Sequence, residues 1–191
     1  MKERFPMIAH LGVTIAWLLV ALYMIFLYAP VEATMGEAQR IFYYHVPSAW
    51  TGFVAYFILF LASVGYLWKR SRASDDLAHA CGEVGFVFWT VVLVTGPLWA
   101  KPIWGIWWTW DARLTSSFVL WLFFVSYLML RSYVLSPGRA ATLGAVVAIM
   151  GFVDVPIVYM SIRWWRTQHP QPVIGGGEGS GLDPAMRLTL L

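Results

Sequence analysis

Five long apolar runs dominate this 191-residue chain, and they leave it very few folds. A helix needs about 20 predominantly apolar residues to cross the hydrocarbon core of a bilayer. Within that core each backbone N–H and C=O has to be satisfied internally, so such a run without strand-period alternation predicts a membrane helix. The runs lie near Ile8 to Ala29, ended by Pro30, and near Ser48 to Trp68, ended by the basic "KRSR" of Lys69 to Arg72. The third is near Glu83 to Ala100, with Gly96-Pro97 as a kink or an early end. The last two are near Leu114 to Val134 and near Ala140 to Ile162. Charged residues are 12% of the sequence, against roughly 25% in soluble domains. The expected fold is all-α: a polytopic membrane helix bundle of five spans, forming a single domain over residues 1–191.

The remaining features exclude several classes. The net charge of +3 is scattered and gives no nucleic-acid footprint. Cys81 is the only cysteine, which rules out a disulfide framework, a Cys-rich zinc site and a C-x-x-C-H haem attachment. The glycine-rich Gly175 to Gly181 lacks the Lys-Ser/Thr of a phosphate loop, and no ATP-hydrolysing motif is present. The first run has no small-residue cleavage site after it and is read as a retained anchor. Pro170 to Pro184 form a Gly/Pro-rich loop, and "AMRLTLL" after it begins a helix too short to cross a bilayer.

Orientation rests on the loop Lys and Arg residues. With the N-terminus inside, Lys2, Arg4, Lys69, Arg70, Arg72, Arg131 and Arg139 are inside, and Arg40, Lys101, Arg113, Arg163, Arg166 and Arg187 outside. The count, seven against six, is nearly balanced, and the compact "KRSR" cluster together with a first helix that follows Lys2 and Arg4 favours this orientation. Span parity puts three segments on one membrane face whichever way the chain runs. They are "YYHVPSAW" (Tyr43 to Trp50), "KPIWGIWWTWDARLT" (Lys101 to Thr115) and "RWWRTQHP" (Arg163 to Pro170). His45 and His169 are on that face; His10 and His79 belong to the other.

The middle segment holds four tryptophans in seven residues: Trp104, Trp107, Trp108 and Trp110. If Pro102 starts a short interfacial helix, then Trp104, Trp107, Trp108 and Asp111 share one face at i, i+3, i+4 and i+7, with Trp110 pointing elsewhere. The run is then a platform for a flat apolar ligand. The alternative is an aromatic belt at the membrane interface, which accounts for Trp50, Trp68, Trp99 and Trp121. Asp111 caps the fourth span, orients the platform, or does both.

His45 precedes Pro47, a natural start for span two, and His169 follows span five. Each alone reads as a helix-end residue. As a pair on the tryptophan face they can supply the two axial ligands of a haem iron, with the macrocycle on the indoles and Arg113, Arg163 or Arg166 available to its propionates. Ligation needs neutral imidazoles, so binding is expected to weaken below about pH 6.5. Asp154 interrupts span five in "GFVDVPIVYM", either as a functional group or by bonding backbone groups freed by Pro156.

"WGIWWTWDARLT" strongly resembles the WWD signature of the haem-handling proteins of cytochrome c maturation. "YYHVPSAW" and "VDVPIVYMSIRWWRTQHP" resemble the flanking histidine segments of the CcmC family, and "GLDPAM" its approach to a last helix. The resemblance implies a multi-pass protein of the bacterial inner membrane, with a cytoplasmic N-terminus and six spans, the sixth missing from this chain. It implies a periplasmic site for non-covalent b-type haem, passed to the chaperone CcmE, with CcmA, CcmB and CcmD as further partners. By resemblance His45 and His169 match the axial ligands, and Trp104, Trp107, Trp108, Trp110 and Asp111 the haem platform. Arg113 is a propionate contact inferred from charge. The expected role is haem delivery rather than enzymatic catalysis. The rival readings are a b-type electron-transfer subunit and a haem or solute permease component.

Overall fold

A computed structural model of the protein describes residues 4–170 and 181–191, and among these it is helical without strands. Five helical stretches are long and apolar enough to cross a membrane: Ile8–Tyr28, Glu37–Lys69, Arg72–Trp104, Ala112–Tyr133 and Pro137–Trp164. Most of the Gly/Pro-rich loop, residues 171–180, lies outside the described residues. The described chain falls into two compact units, residues 4–43 with 181–191, and residues 44–170.

In the first unit α1 (Arg4–Tyr23) runs into a π-helical turn, Met24–Tyr28. The turn closes with Ala29 N–H on the Met24 carbonyl at 2.8 Å, and Pro30 ends the helix. The Arg40 guanidinium pairs with Glu37, donates to the Ile25 carbonyl and lies over the Phe26 ring. The last helix of the chain, Pro184–Leu190, is capped by Asp183 through Ala185 N–H at 2.8 Å. It packs against the π turn.

The second unit carries four of the spans. They are α2 (Phe42–Lys69, beginning two residues before the unit), α3 (Arg72–Trp104), α4 (Ala112–Tyr133), and the pair α5 (Pro137–Phe152) and α6 (Asp154–Trp164). α4 packs on α3, α5 and α6. The core joins Tyr56 and Leu59 of α2 to Trp89, Leu120, Phe124, Tyr127, Ala148 and Val158. Small residues let the helices close on these rings, as in other membrane bundles. Gly52 is one: a Cβ there would stand 2.5 Å from Cε3 of Trp89. Trp89 is held by its indole N–H on the Ser117 carbonyl at 2.8 Å. Where α3 begins and α4 ends, Arg131 grips the Asp75 carboxylate with two bonds of 2.5 and 3.0 Å, the forked geometry an arginine–carboxylate pair favours.

The helices depart from the sequence expectations at their prolines. α2 starts at Phe42, so Pro47 lies inside it instead of opening it. α3 ends neither at Pro97 nor at Pro102 but runs through both to Trp104. Each proline leaves only one carbonyl of the preceding turn without its N–H, and membrane helices tolerate that where neighbouring groups compensate. The fifth span does break, at Val153, between α5 and α6. Pro156 has no N–H for the Phe152 carbonyl, and Val153 N–H bonds back to Met150 at 3.3 Å. Asp154 follows the break, buried, with no hydrogen-bond partner for Oδ2. Its Oδ2 bonds no backbone group at the break.

Candidate functional site

Where α2 begins and α3 ends, the second unit opens into a cleft with about 810 Å³ of empty space, part of it the open mouth. Its walls include His45, Trp89, Trp99, Trp104, Trp108, Arg113 and His169. The sequence brings these together because α2 enters, α3 leaves and α4 begins at the same end.

His45 stands in the first turn of α2. Its Nδ1 is 2.9 Å from Thr95 Oγ1 on α3, and Trp99 meets the ring edge-on at 5.9 Å between centroids. His169 comes from the segment after α6. Its Nδ1 is 2.8 Å from the Pro170 carbonyl; a carbonyl only accepts, so the ring donates there and Nε2 keeps its lone pair. Burial holds the His169 imidazole at about 4, below its ordinary 6.5. The Arg113 charge pushes the same way, and the Pro170 carbonyl and Asp111 push back. His169 is therefore neutral at physiological pH.

Asp111 links the tryptophan segment to the His169 segment. Its Oδ1 accepts from Leu114 N–H at 2.9 Å, an N-cap on α4. Its Oδ2 accepts from Thr109 Oγ1 at 3.2 Å, Thr167 Oγ1 at 2.9 Å and Gln168 N–H at 3.4 Å. Thr167 Oγ1 in turn accepts from His169 N–H at 3.1 Å. One carboxylate thus starts a helix and ties down the chain that carries a cleft histidine.

A family model described as heme exporter protein C, CcmC, matches residues 2–191. The chain belongs to the CcmC family. Heme exporter protein C of Bradyrhizobium diazoefficiens is 36% identical over 163 residues, covering 85% of this chain and 62% of the relative. That of Escherichia coli K12 is also 36% identical, over 169 residues, covering 85% and 65%. A ccmC-like mitochondrial protein of Marchantia polymorpha, named for cytochrome c biosynthesis, is 31% identical over 184 residues, covering 95% and 78%. The chain spans less than two thirds of the length of the two bacterial relatives.

In this CcmC-family chain the structure corrects the shape expected of the tryptophan segment. No helix starts at Pro102. α3 carries on to Trp104 and stops at Gly105, which takes the left-handed conformation (φ 76°) and bonds its N–H to the Lys101 carbonyl at 3.0 Å. Residues 105–111 are non-helical, so the four indoles share no helical face. Trp104 and Trp108 reach the cleft wall, whereas Trp107 and Trp110 are exposed and do not line it. Trp107 sits under the Lys101 ammonium, and Trp110 packs edge-on against Trp108 at 5.6 Å. Arg113 lines the cleft and donates to the Val158 carbonyl.

Trp99 and Trp121 leave the membrane belt to which the sequence assigned them. Trp99 is a cleft wall, and Trp121 donates to Thr90 Oγ1 at 2.9 Å within the bundle. Trp68 is 83% exposed at the end of α2. Trp89 and Trp99 on the cleft wall, and Thr95 beside His45, are side chains that the sequence does not assign to the site. Their signal was there: Trp89, Val92, Gly96 and Trp99 follow helical spacing along α3.

Proposed function

We propose that this CcmC-family chain binds haem in the cleft, presents it on the periplasmic face of the bacterial inner membrane, and passes it to a CcmE-type chaperone during cytochrome c biogenesis. One observation carries the reading: two imidazoles from segments more than a hundred residues apart line one tryptophan-walled cleft. The relatives' printed names, heme exporter and cytochrome c biosynthesis, support the cargo and the pathway.

The residues suit a non-covalent b-type haem. Such a haem would supply an iron with two axial positions and two propionates. His45 and His169 would hold the iron. Trp104, Trp108 and Trp99 would cover the macrocycle, Trp89 would back the cleft from the core, and the Trp108 indole N–H, buried without a partner, is a donor for a polar edge. Arg113 would face a propionate. Trp107 and Trp110, exposed beside the cleft, would meet the chaperone, while Asp111 holds the frame. A cleft open at one end of the bundle, with one histidine in the first turn of α2 and the other in the segment after α6, favours hand-off over permanent retention, which separates this role from that of an electron-transfer subunit. CcmA, CcmB and CcmD are the proposed assembly partners, with ATP hydrolysis on a partner; the chain itself is a transport component and not an enzyme.

The test is delivery. Haem-loaded protein in detergent is mixed with the soluble chaperone domain, and haem transfer is followed optically. Trp108→Ala should lower the haem held before mixing. Trp107→Ala should leave loading near wild type and slow transfer. No transfer from the wild-type protein would contradict the delivery role.

A further inference from the structure

The Thr95 side chain does more than complete a helix turn. A threonine hydroxyl has one proton to give. Thr95 Oγ1 gives it to the backbone of its own helix, to the Val91 carbonyl at 2.7 Å with Val92 at 3.5 Å. Both carbonyls only accept, so the proton is committed there. The 2.9 Å bond between Thr95 Oγ1 and His45 Nδ1 must then have the ring as donor. A neutral imidazole that carries its proton on Nδ1 has a bare lone pair on Nε2.

We infer that Thr95 is a positioning residue for His45: its hydroxyl accepts the Nδ1 proton and holds the imidazole in the tautomer and orientation that leave Nε2 free to ligate iron. The assignment rests on the haem reading for its purpose, though the hydrogen bond stands without it. The ring has two further contacts. Cε1 lies 3.5 Å from where a Cβ on Gly96 would stand, and Trp99 closes its edge. His169 reaches the same tautomer through the Pro170 carbonyl. The cleft therefore has two histidines fixed by different means, one by backbone and one by a side chain, and only the second is open to substitution. Partners of this kind orient metal-ligating histidines and raise their basicity; losing one typically costs about 10–100-fold in affinity.

The test compares wild type, Thr95→Val, Thr95→Ser and His45→Ala. In haem-free protein at neutral pH, nitrogen NMR of labelled histidine reads the tautomer directly, with His45→Ala assigning the signal. Wild type and Thr95→Ser should carry the proton on Nδ1, and Thr95→Val should show a mixture or the other tautomer. In haem titrations Thr95→Val should bind about 10-fold or more weakly, with part of the low-spin signal lost, and Thr95→Ser should restore both. A wild-type His45 protonated on Nε2, or on both nitrogens, overturns the inference. So does Thr95→Val matching wild type in tautomer and affinity while His45→Ala loses haem. If His45→Ala keeps its haem spectrum unchanged, the haem reading fails, and the NMR arm still decides the hydrogen bond.

Discussion

At the residue scale, Asp111 separates two effects that one substitution can pull apart. Its Oδ1 caps α4 and its Oδ2 gathers Thr109, Thr167 and Gln168. Asp111→Ala should cost about 0.5–2 kcal/mol from the lost cap alone and also release the His169 segment. Asp111→Asn keeps an oxygen for Leu114 N–H but loses a charged acceptor for the hydroxyls. Thermal unfolding should therefore show a clear loss for alanine and a smaller one for asparagine, while haem retention falls in both. Equal stability of Asp111→Ala and wild type would show that the cap carries no load. His169 gives a pH prediction. Its folded value of about 4 lies below the unfolded 6.5. The unfolded chain binds the extra proton between those values, so the stabilisation is complete above about 6.5 and is lost as pH falls toward 4. The imidazole stays neutral through the same window. Haem affinity limited by His169 should stay level from pH 7 to about 5 and fall near 4, where the unperturbed value would have placed the fall near 6.5. Titrations of haem binding across this range check it.

At the element scale, Gly105 decides where α3 stops and so where the tryptophans go. Its φ of 76° is a conformation that an L side chain enters at a cost of about 1–2 kcal/mol. Lys101 fixes the turn twice, its carbonyl accepting from Gly105 N–H and its ammonium donating to the Gly105 carbonyl at 2.8 Å. Gly105→Ala should lower the melting temperature and weaken haem loading, and Gly105→Asn should recover part of both, since asparagine tolerates the left-handed region. Indistinguishable melting curves would contradict the role of the turn. The sequence reading placed a helix start at Pro102 because proline is common at that position. The stop belongs to Gly105 instead, because α3 continues through Pro102 and only the left-handed glycine after Trp104 ends it. In the same way α2 starts ahead of Pro47 and α3 runs through Pro97. Local punctuation rules come from water-exposed helices, where an uncompensated carbonyl finds solvent. In a span, continuity of the hydrogen-bonded backbone outweighs them.

At the scale of the whole molecule, apolar run length without strand-period alternation reveals the five spans, because an apolar run that long satisfies its own backbone in lipid only as a helix. Parity then grouped His45, Trp104, Trp108, Arg113 and His169 on one face, and the structure brings those five to one cleft. Parity could not say which indoles turn inward. Trp107 and Trp110 stand outside, while Trp99, which the belt reading accounts for, and Trp89, which the sequence gives no role, form walls. That distinction depends on the rotation of α3 and on the irregular chain after Gly105, which no spacing rule encodes. The Asp111 to Thr167 bond was also beyond reach, since it joins residues 56 apart through two non-helical segments.

The central claim is that His45 and His169 hold one haem between them, and the most direct measurement is low-temperature electron paramagnetic resonance of the ferric, haem-loaded protein. Wild type should give a low-spin signal of the bis-imidazole kind. His45→Ala and His169→Ala should each convert it to high-spin or lose the haem, and added imidazole should restore the low-spin signal. A low-spin signal unchanged in either variant would contradict the account.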